Sequence, residues 1–207
     1  MSLESAFHRI TRITAMLATA DLAPLGFALW LRLHRLEFGY ADYVSAVDGN
    51  SHQHSGGPKL NRVLRSLHIP KESVALDLGV GMGIAALTLR RHFSRVIGVE
   101  LSPELIAIAK RNLSKMRATG IELHHADART FTQDLDSVTH VYMFNPFAEK
   151  VMSDVMRNLR QSLVSRPRPL TIIYRFPVCH ETIVSAGFAH KRTFHLRHCH
   201  PFAIYEA

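Results

Sequence analysis

Val74-Ala75-Leu76-Asp77-Leu78-Gly79-Val80-Gly81-Met82-Gly83 reads as a buried strand that ends in a carboxylate and turns, through three alternating glycines, into the start of a helix. Glycine tolerates positive φ and has no Cβ to hold a ligand off the backbone. A helix start adds unpaired N–H groups, so this stretch is built to bring main chain against a ligand. A turn that binds nothing would not need three glycines.

Working outward, short apolar runs alternate with helical patterns. Strands are expected at Val74–Leu78, Val96–Val99, Ile121–His125, Val138–Phe144 and Leu170–Tyr174, each apolar on both faces as in a sheet covered on two sides. Helices are expected at Leu60–Leu67, Ile84–His92, Pro103–Ala118 and Glu149–Ser165. The third is the best signalled, with Ser102 able to cap it, Pro103 at the first helical position and Glu104 complementing the dipole. Phe188–Leu196 and His200–Tyr205 lie too close in sequence for a crossover helix and are expected to pair antiparallel. The expectation is an α/β fold: a Rossmann-like, doubly wound, mostly parallel seven-stranded sheet with an antiparallel C-terminal strand. Ligands bind such sheets at the carboxyl ends of the strands.

Before this domain the chain reads as helical, with Ile10, Ile13, Leu17 and Ala20 on one stripe, a break at Asp21 to Gly26, and a second helix from about Leu25 to Phe38. Phe27, Trp30, Leu31 and Leu33 make that second helix apolar nearly all round, which predicts its burial. The turn-rich stretch Gly49–Pro58 marks a boundary. Residues 1–50 are thus expected to be an N-terminal helical extension and residues 51–207 the main domain.

The 207 residues carry 47% hydrophobic and 20% charged side chains, which excludes disordered, collagenous and coiled-coil classes. Two cysteines, Cys179 and Cys199, cannot make a disulfide framework. No apolar run approaches the roughly 20 residues of a membrane span, and Asp21 interrupts the early apolar stretch, so a cytoplasmic protein is expected. The net charge of +8 makes acidic partners plausible.

The glycine spacing is G-x-G-x-G after Asp77, with Ile84 where a dinucleotide fingerprint wants its third glycine. This argues against a nicotinamide oxidoreductase. Together with Gly98-Val-Glu100 at the end of the next strand, it resembles the class I, seven-β-strand methyltransferases that use S-adenosylmethionine, over roughly residues 59–207. The resemblance implies that S-adenosyl-L-methionine is the cofactor. Gly79, Gly81 and Gly83 would let its methionine part approach the backbone, and Asp77 would help hold its amino end. Glu100 would accept from the ribose hydroxyls, and Asp127 and Ala128, in His125-Ala-Asp127-Ala128, would meet the adenine.

Tyr142-Met-Phe144-Asn145-Pro146-Phe147 closes the fourth strand and resembles the [DN]-P-P-[YF] motif of amino-methylating members, with Phe147 in place of the second proline. The resemblance implies that Asn145 and a carbonyl of Pro146 accept hydrogen bonds from the acceptor nitrogen while the aromatic ring of Phe147 packs on the substrate. Asn145 has an alternative reading as the N-cap ahead of Glu149. Phe144–Phe147 is also similar to a motif of non-SET histone lysine methyltransferases, and Arg175-Phe176-Pro177 to small lysine methyltransferases. A protein lysine or a small-molecule amine is therefore the favoured acceptor. A nucleic-acid methyltransferase, or a basic nucleic-acid-binding protein on the same fold, is the alternative, with Lys191–His198 as a phosphate contact. Tyr174–Pro177 is expected to wall the acceptor pocket. His52, His54 and Gly56-Gly57 form a candidate hinge. His198-Cys199-His200 and Cys179-His180 have poor spacing for zinc, since neighbours on a strand point to opposite faces, and no metal is expected. The oligomeric state is left open.

Overall fold

The computed structural model describes residues 23–37 and 56–207. The stripe over residues 10–20, the start of the turn-rich boundary and the hinge histidines lie outside them. The described elements are α1 (Ala23–Leu33), α2 (Pro58–Arg65), β1 (Val74–Leu78), α3 (Ile84–Leu89), β2 (Arg95–Glu100), α4 (Pro103–Lys115), β3 (Ile121–His125), a 3₁₀ turn (Leu135–Ser137), β4 (His140–Phe144), α5 (Glu149–Ser165), β5 (Thr171–Arg175), α6 (His180–Ser185), β6 (Ala189–Phe194) and β7 (Phe202–Glu206). They build one seven-stranded sheet in the order β3-β2-β1-β4-β5-β7-β6. Pairings from β3 to β5 are parallel, and β7 runs antiparallel to both β5 and β6. This is the expected doubly wound architecture.

The sheet is two-sided because alternate residues of each central strand enter different cores. Leu76, Leu78, Val141, Met143 and Ile172 pack with Met152, Val155, Met156 and Leu159 of α5. Ala75, Tyr142 and Ile173 pack on the other face with Leu60, Val63 and Leu64 of α2 and Ala86 and Leu89 of α3. The edge strand β6 is exposed along nearly its whole length and carries His190, Lys191 and Arg192.

Several expected boundaries shift. The second N-terminal helix stops at Leu33, because Arg35 takes a left-handed conformation (φ 52°). Its burial is also one-sided: Leu31 packs with Leu36 and Ile84, whereas Leu29 and Leu33 are exposed. The helix expected over Ile84–His92 ends at Leu89 and the one expected to reach Ala118 ends at Lys115. Ser102 caps α4 as expected, its Oγ accepting from Leu105 N at 3.2 Å. The short helix α6, unanticipated, fills the crossover between β5 and β6.

Segment 36–37 is tied to the domain by buried Asn112. Its Nδ2 donates to Glu37 O (2.9 Å) and Met82 O (3.0 Å), and its Oδ1 accepts from Glu37 N (2.8 Å). Arg111 adds a two-pronged pair with Glu37, which holds the Glu37 carboxyl down at about 2. Leaving such groups without partners costs about 1–3 kcal/mol each when they are buried. Asn112→Ala is therefore expected to lower stability by ~2–3 kcal/mol in urea denaturation, whereas Arg111→Ala, at the surface, should cost under ~1 kcal/mol.

Candidate functional site

The carboxyl ends of β1, β2 and β4 converge because the parallel register sets Leu78 beside Val99 and Met143. The glycine turn then leaves β1 across the end of β2, with Gly79 N and Val80 N both donating to Val99 O, at 2.9 and 3.1 Å. Gly79, Gly81 and Gly83 all adopt positive φ. At Gly79 a Cβ would stand 2.9 Å from Pro146 Cβ, so only glycine lets the turn lie against the Asn-Pro segment after β4. Gly83 is as constrained, with Ala109 Cβ 3.3 Å from its Cβ position, and it opens α3.

Glu100 finishes β2 and is almost wholly buried. Its Oε2 accepts from Gly81 N at 3.0 Å, and its Oε1 accepts from Leu101 N (2.9 Å) and Ser102 N (3.0 Å). A carboxylate offers about four acceptor sites, so Glu100 fastens the glycine turn and keeps capacity for one further donor. Asp77 is buried with its Oδ2 lacking any hydrogen-bond partner. Burial, and next the negative charge of Glu100, push its pKa up to about 8. An unpartnered buried carboxyl beside a second carboxylate is a site for a cationic ligand with N–H donors.

Asp127 follows β3 and is half-buried. Its Oδ1 accepts from Arg129 N (2.8 Å) and Nε (3.1 Å), and its Oδ2 from Nε (2.9 Å) and Nη2 (2.6 Å). The Arg129 side chain holds its pKa below the usual range. Asp127 thus braces its own turn, and any ligand amine must share these lone pairs. Ala128 is buried in the core beside it.

Asn145 does not cap α5; Ala148 holds that position, with no side-chain bond. Instead Asn145 sits at φ 39°, a left-handed conformation asparagine tolerates better than most residues. Tyr174 Oη donates to Asn145 Oδ1 at 3.2 Å, and Cys179 N donates to Tyr174 Oη at 3.4 Å. With Cys179 N donating to the hydroxyl, its hydrogen is available to Asn145, whose amide carries its carbonyl oxygen toward Tyr174. Burial raises the Tyr174 pKa, keeping this hydroxyl protonated.

Phe147 is half-buried and packs against the α5 core, its carbonyl accepting from Cys179 Sγ at 3.7 Å. The aromatic surface beside β4 comes from elsewhere. The Arg175 guanidinium lies 4.1 Å over the Phe144 ring, and Phe176 stacks on His200 at 4.2 Å. Phe176 (φ 57°) and His198 (φ 52°) are left-handed too, so strained backbone gathers at this mouth. Reading the sequence missed Tyr174 as the partner of Asn145, and also His200 and Cys179. The Tyr174 contact follows from β5 pairing with β4, the Cys179 contacts from α6 following β5, and the His200 contacts from β7 pairing with β5. Among the described residues no cluster of three or more His, Cys, Asp or Glu could hold a metal ion, and no helix is long and apolar enough to cross a membrane.

Residues 75–166 match the family model described as a methyltransferase domain. The chain is 31% identical over 70 residues to a probable ribosomal RNA small subunit methyltransferase A of Methanosphaera stadtmanae, covering 34% of this chain and 26% of that protein. It is 38% identical over 65 residues to a dTDP-3-amino-3,6-dideoxy-alpha-D-glucopyranose N,N-dimethyltransferase of Streptomyces fradiae, covering 31% of this chain and 24% of that protein. The chain thus spans about a quarter of the length of the curated relatives it matches. Its fold is similar to that of a SAM-dependent methyltransferase from Aquifex aeolicus, with TM-score 0.57 and 16% identity over 70% of this chain and 87% of the other. The fold is thus the Rossmann-like fold seen in this methyltransferase.

Asp77 and the buried His140 make stability depend on pH. Between pH 3.8 and about 8 the folded state keeps the Asp77 proton that the unfolded chain releases, so stability falls as pH rises through this window. His140, lowered to about 4 by burial, acts oppositely between about 4 and 6.5, where stability falls as pH drops. The two oppose each other below 6.5, and Asp77 acts alone above it. The melting temperature is expected to decline from pH 6.5 to 8 in the wild type and to stay level there in Asp77→Asn, as read by calorimetry.

Proposed function

We propose that this chain is a S-adenosylmethionine-dependent N-methyltransferase whose acceptor is an amine, on a protein lysine or a small molecule. The carrying observation is the contact of Pro146 with Gly79, which sets Asn145 beside a glycine turn backed by two carboxylates. When bound, the cofactor supplies an electrophilic methyl group on a cationic sulfonium. Gly79, Gly81 and Gly83 admit its methionine part, Asp77 takes the ammonium, Glu100 the ribose, and Asp127 with Ala128 the adenine end.

Asn145 Oδ1, held by Tyr174, and the Pro146 carbonyl would accept N–H bonds from a neutral acceptor amine, which aims the nitrogen lone pair at the methyl carbon. Orientation of this kind can remove about 7–11 kcal/mol of the barrier when the reacting atoms are held in near-attack geometry. The amine loses its proton to solvent before transfer, and the methylated ammonium leaves with the charge the sulfonium gave up. The Phe144, Arg175, Phe176 and His200 surface forms the outer wall.

A second reading, a nucleic-acid methyltransferase, is favoured by one observation: the exposed, basic strand β6 ends in the row Phe194-Phe202-Arg175-Phe144 that leads to the same mouth.

Calorimetric titration with S-adenosylmethionine at pH 7, in buffers of different ionisation enthalpy, tests the cofactor assignment. Binding is expected to release close to one proton from wild type and none from Asp77→Asn, and absence of binding would refute it. Asn145→Ala should bind the cofactor within about threefold of wild type and lose at least ~100-fold in kcat against tritiated-methyl acceptors. Tyr174→Phe should lose ~10-fold in kcat with an unchanged KM for cofactor, since it removes the hydroxyl that orients Asn145 and that Cys179 N donates to, neither of which touches the cofactor side.

A further inference from the structure

Three separate stretches join into one basic face. Arg192 Nη2 donates to Ser66 O at 2.9 Å, linking β6 to the end of α2. Lys59 Nζ donates to Arg197 O at 2.8 Å and to His198 O, linking the start of α2 to the loop after β6. His92 and Asn61 bond at 2.7 Å, linking the residues after α3 to α2. Residues 56–71 and 189–200 contain no Asp or Glu. Leu60, Val63 and Leu64 take the inner side of α2, which leaves Arg62 and Arg65 exposed, along with Arg91, Arg192 and Arg197. Arg65 and Arg91 lie close enough to His92 to oppose its protonation, after the larger effect of burial.

Elsewhere on the described surface Arg95, Arg111, Arg129 and Arg157 are each ion-paired to a carboxylate. The face meets acids at its margins, where Lys191 pairs with Glu206 at 3.5 Å and Glu72 follows Lys71. Charge on an edge strand guards against strand pairing, which accounts for Lys191 and Arg192 but not for the acid-free helix beside them. The exposed large hydrophobics among the described residues, Leu29, Leu33, Leu101, Val164, Val178 and Val184, include none from residues 56–71 or 189–200. A protein partner would need such apolar anchors. Guanidinium groups without them match phosphates, which they bind in two-pronged fashion.

We propose that this face binds the phosphate backbone of RNA and leads it to the mouth formed by Phe144, Phe176 and His200. The loop carrying Arg197 and His198 ends at His200, which stacks on Phe176 and lies 5.9 Å from the Phe144 ring. RNA is favoured over duplex DNA because α2 has 8 residues, three of them buried, and cannot enter a major groove, whereas double-stranded RNA is recognised across a shallow groove through phosphates and hydroxyls. The inference deepens the nucleic-acid reading and rests on the methyl-transfer reading only for the chemistry at the mouth. Binding is measured without cofactor, so the two can fail separately.

The test is fluorescence polarisation of a labelled RNA hairpin of about 24 nucleotides at 50–300 mM KCl, with the full chain. Wild type is expected to bind with affinity that falls steeply with salt. Arg62→Glu, Arg65→Glu and Arg192→Glu combined should weaken binding at least 30-fold and flatten the log–log salt slope by about two. A second triple variant with glutamine at these positions, which adds no repulsion, should still lose about tenfold. Lys110→Glu, Lys150→Glu and Arg166→Glu combined, equal in charge change, should stay within threefold of wild type. Equal weakening by that control triple, equal affinity for duplex DNA, displacement of the hairpin by polyglutamate at matched charge, or no binding at 100 mM KCl would each overturn the proposal.

Discussion

The Glu100 carboxylate is the tie on which the crevice depends. It collects three backbone N–H groups, from Gly81, Leu101 and Ser102, and so joins the glycine turn, the end of β2 and the start of α4 at one point. Charge-assisted bonds to backbone N–H are the strong class of hydrogen bond, and Ser102 continues from there into the α4 cap. With the turn held in this way, Gly79 rests against the Pro146 ring, and the end of β4 is placed relative to the end of β1 with no side chain of Gly79 between them. Asp77, one strand away, is left buried beside Glu100 with an unpartnered oxygen.

Most of this was legible in the sequence for one reason: its determinants are local. Val74–Leu78, Ile121–His125 and Glu149–Ser165 fall where periodicity and composition place them, because an apolar run or a capped amphipathic pattern carries its own signal. The glycine turn was readable because positive φ demands glycine, wherever the chain goes next. The cap at Ser102 was readable because its partner, Leu105 N, is three residues away. What was not readable depends on distant partners. Asn145 followed by proline is locally a good cap, yet Tyr174, 29 residues on, holds it in a left-handed turn instead. Phe147 looks like an exposed aromatic beside a site, but α5 and α6 draw it toward their core. Basic residues scattered over three stretches showed no block in the sequence, and only the Arg192–Ser66 and Lys59–Arg197 contacts gather them.

The electrostatics of the two sides of the mouth are opposite. Toward β1 and β2 stand the carboxyls of Asp77 and Glu100; toward β5 stands the Arg175 guanidinium, with Arg192 and Arg197 further along β6 and its following loop. In a low-dielectric crevice such a division sorts ligands by charge before any shape is tested. A cation is drawn to the carboxylates and an anion to the guanidinium groups, so on the nucleic-acid reading cofactor and acceptor do not compete for one surface.

The same division bears on turnover. On the proposed reading, methyl transfer would turn a cationic sulfonium into a neutral thioether, so the negative field of Asp77 and Glu100 would act on the ammonium alone where it had acted on two positive charges. Asp77 is costly to ionise with Glu100 beside it, and with the sulfonium charge removed part of that cost would return. The product would then be held less tightly than fresh cofactor. Binding strength that differs before and after the chemical step helps turnover, where equal strength would hold the product in place. A buried acid with an unpartnered oxygen, destabilising in the empty fold, is thus what allows this crevice to tell its two nucleosides apart.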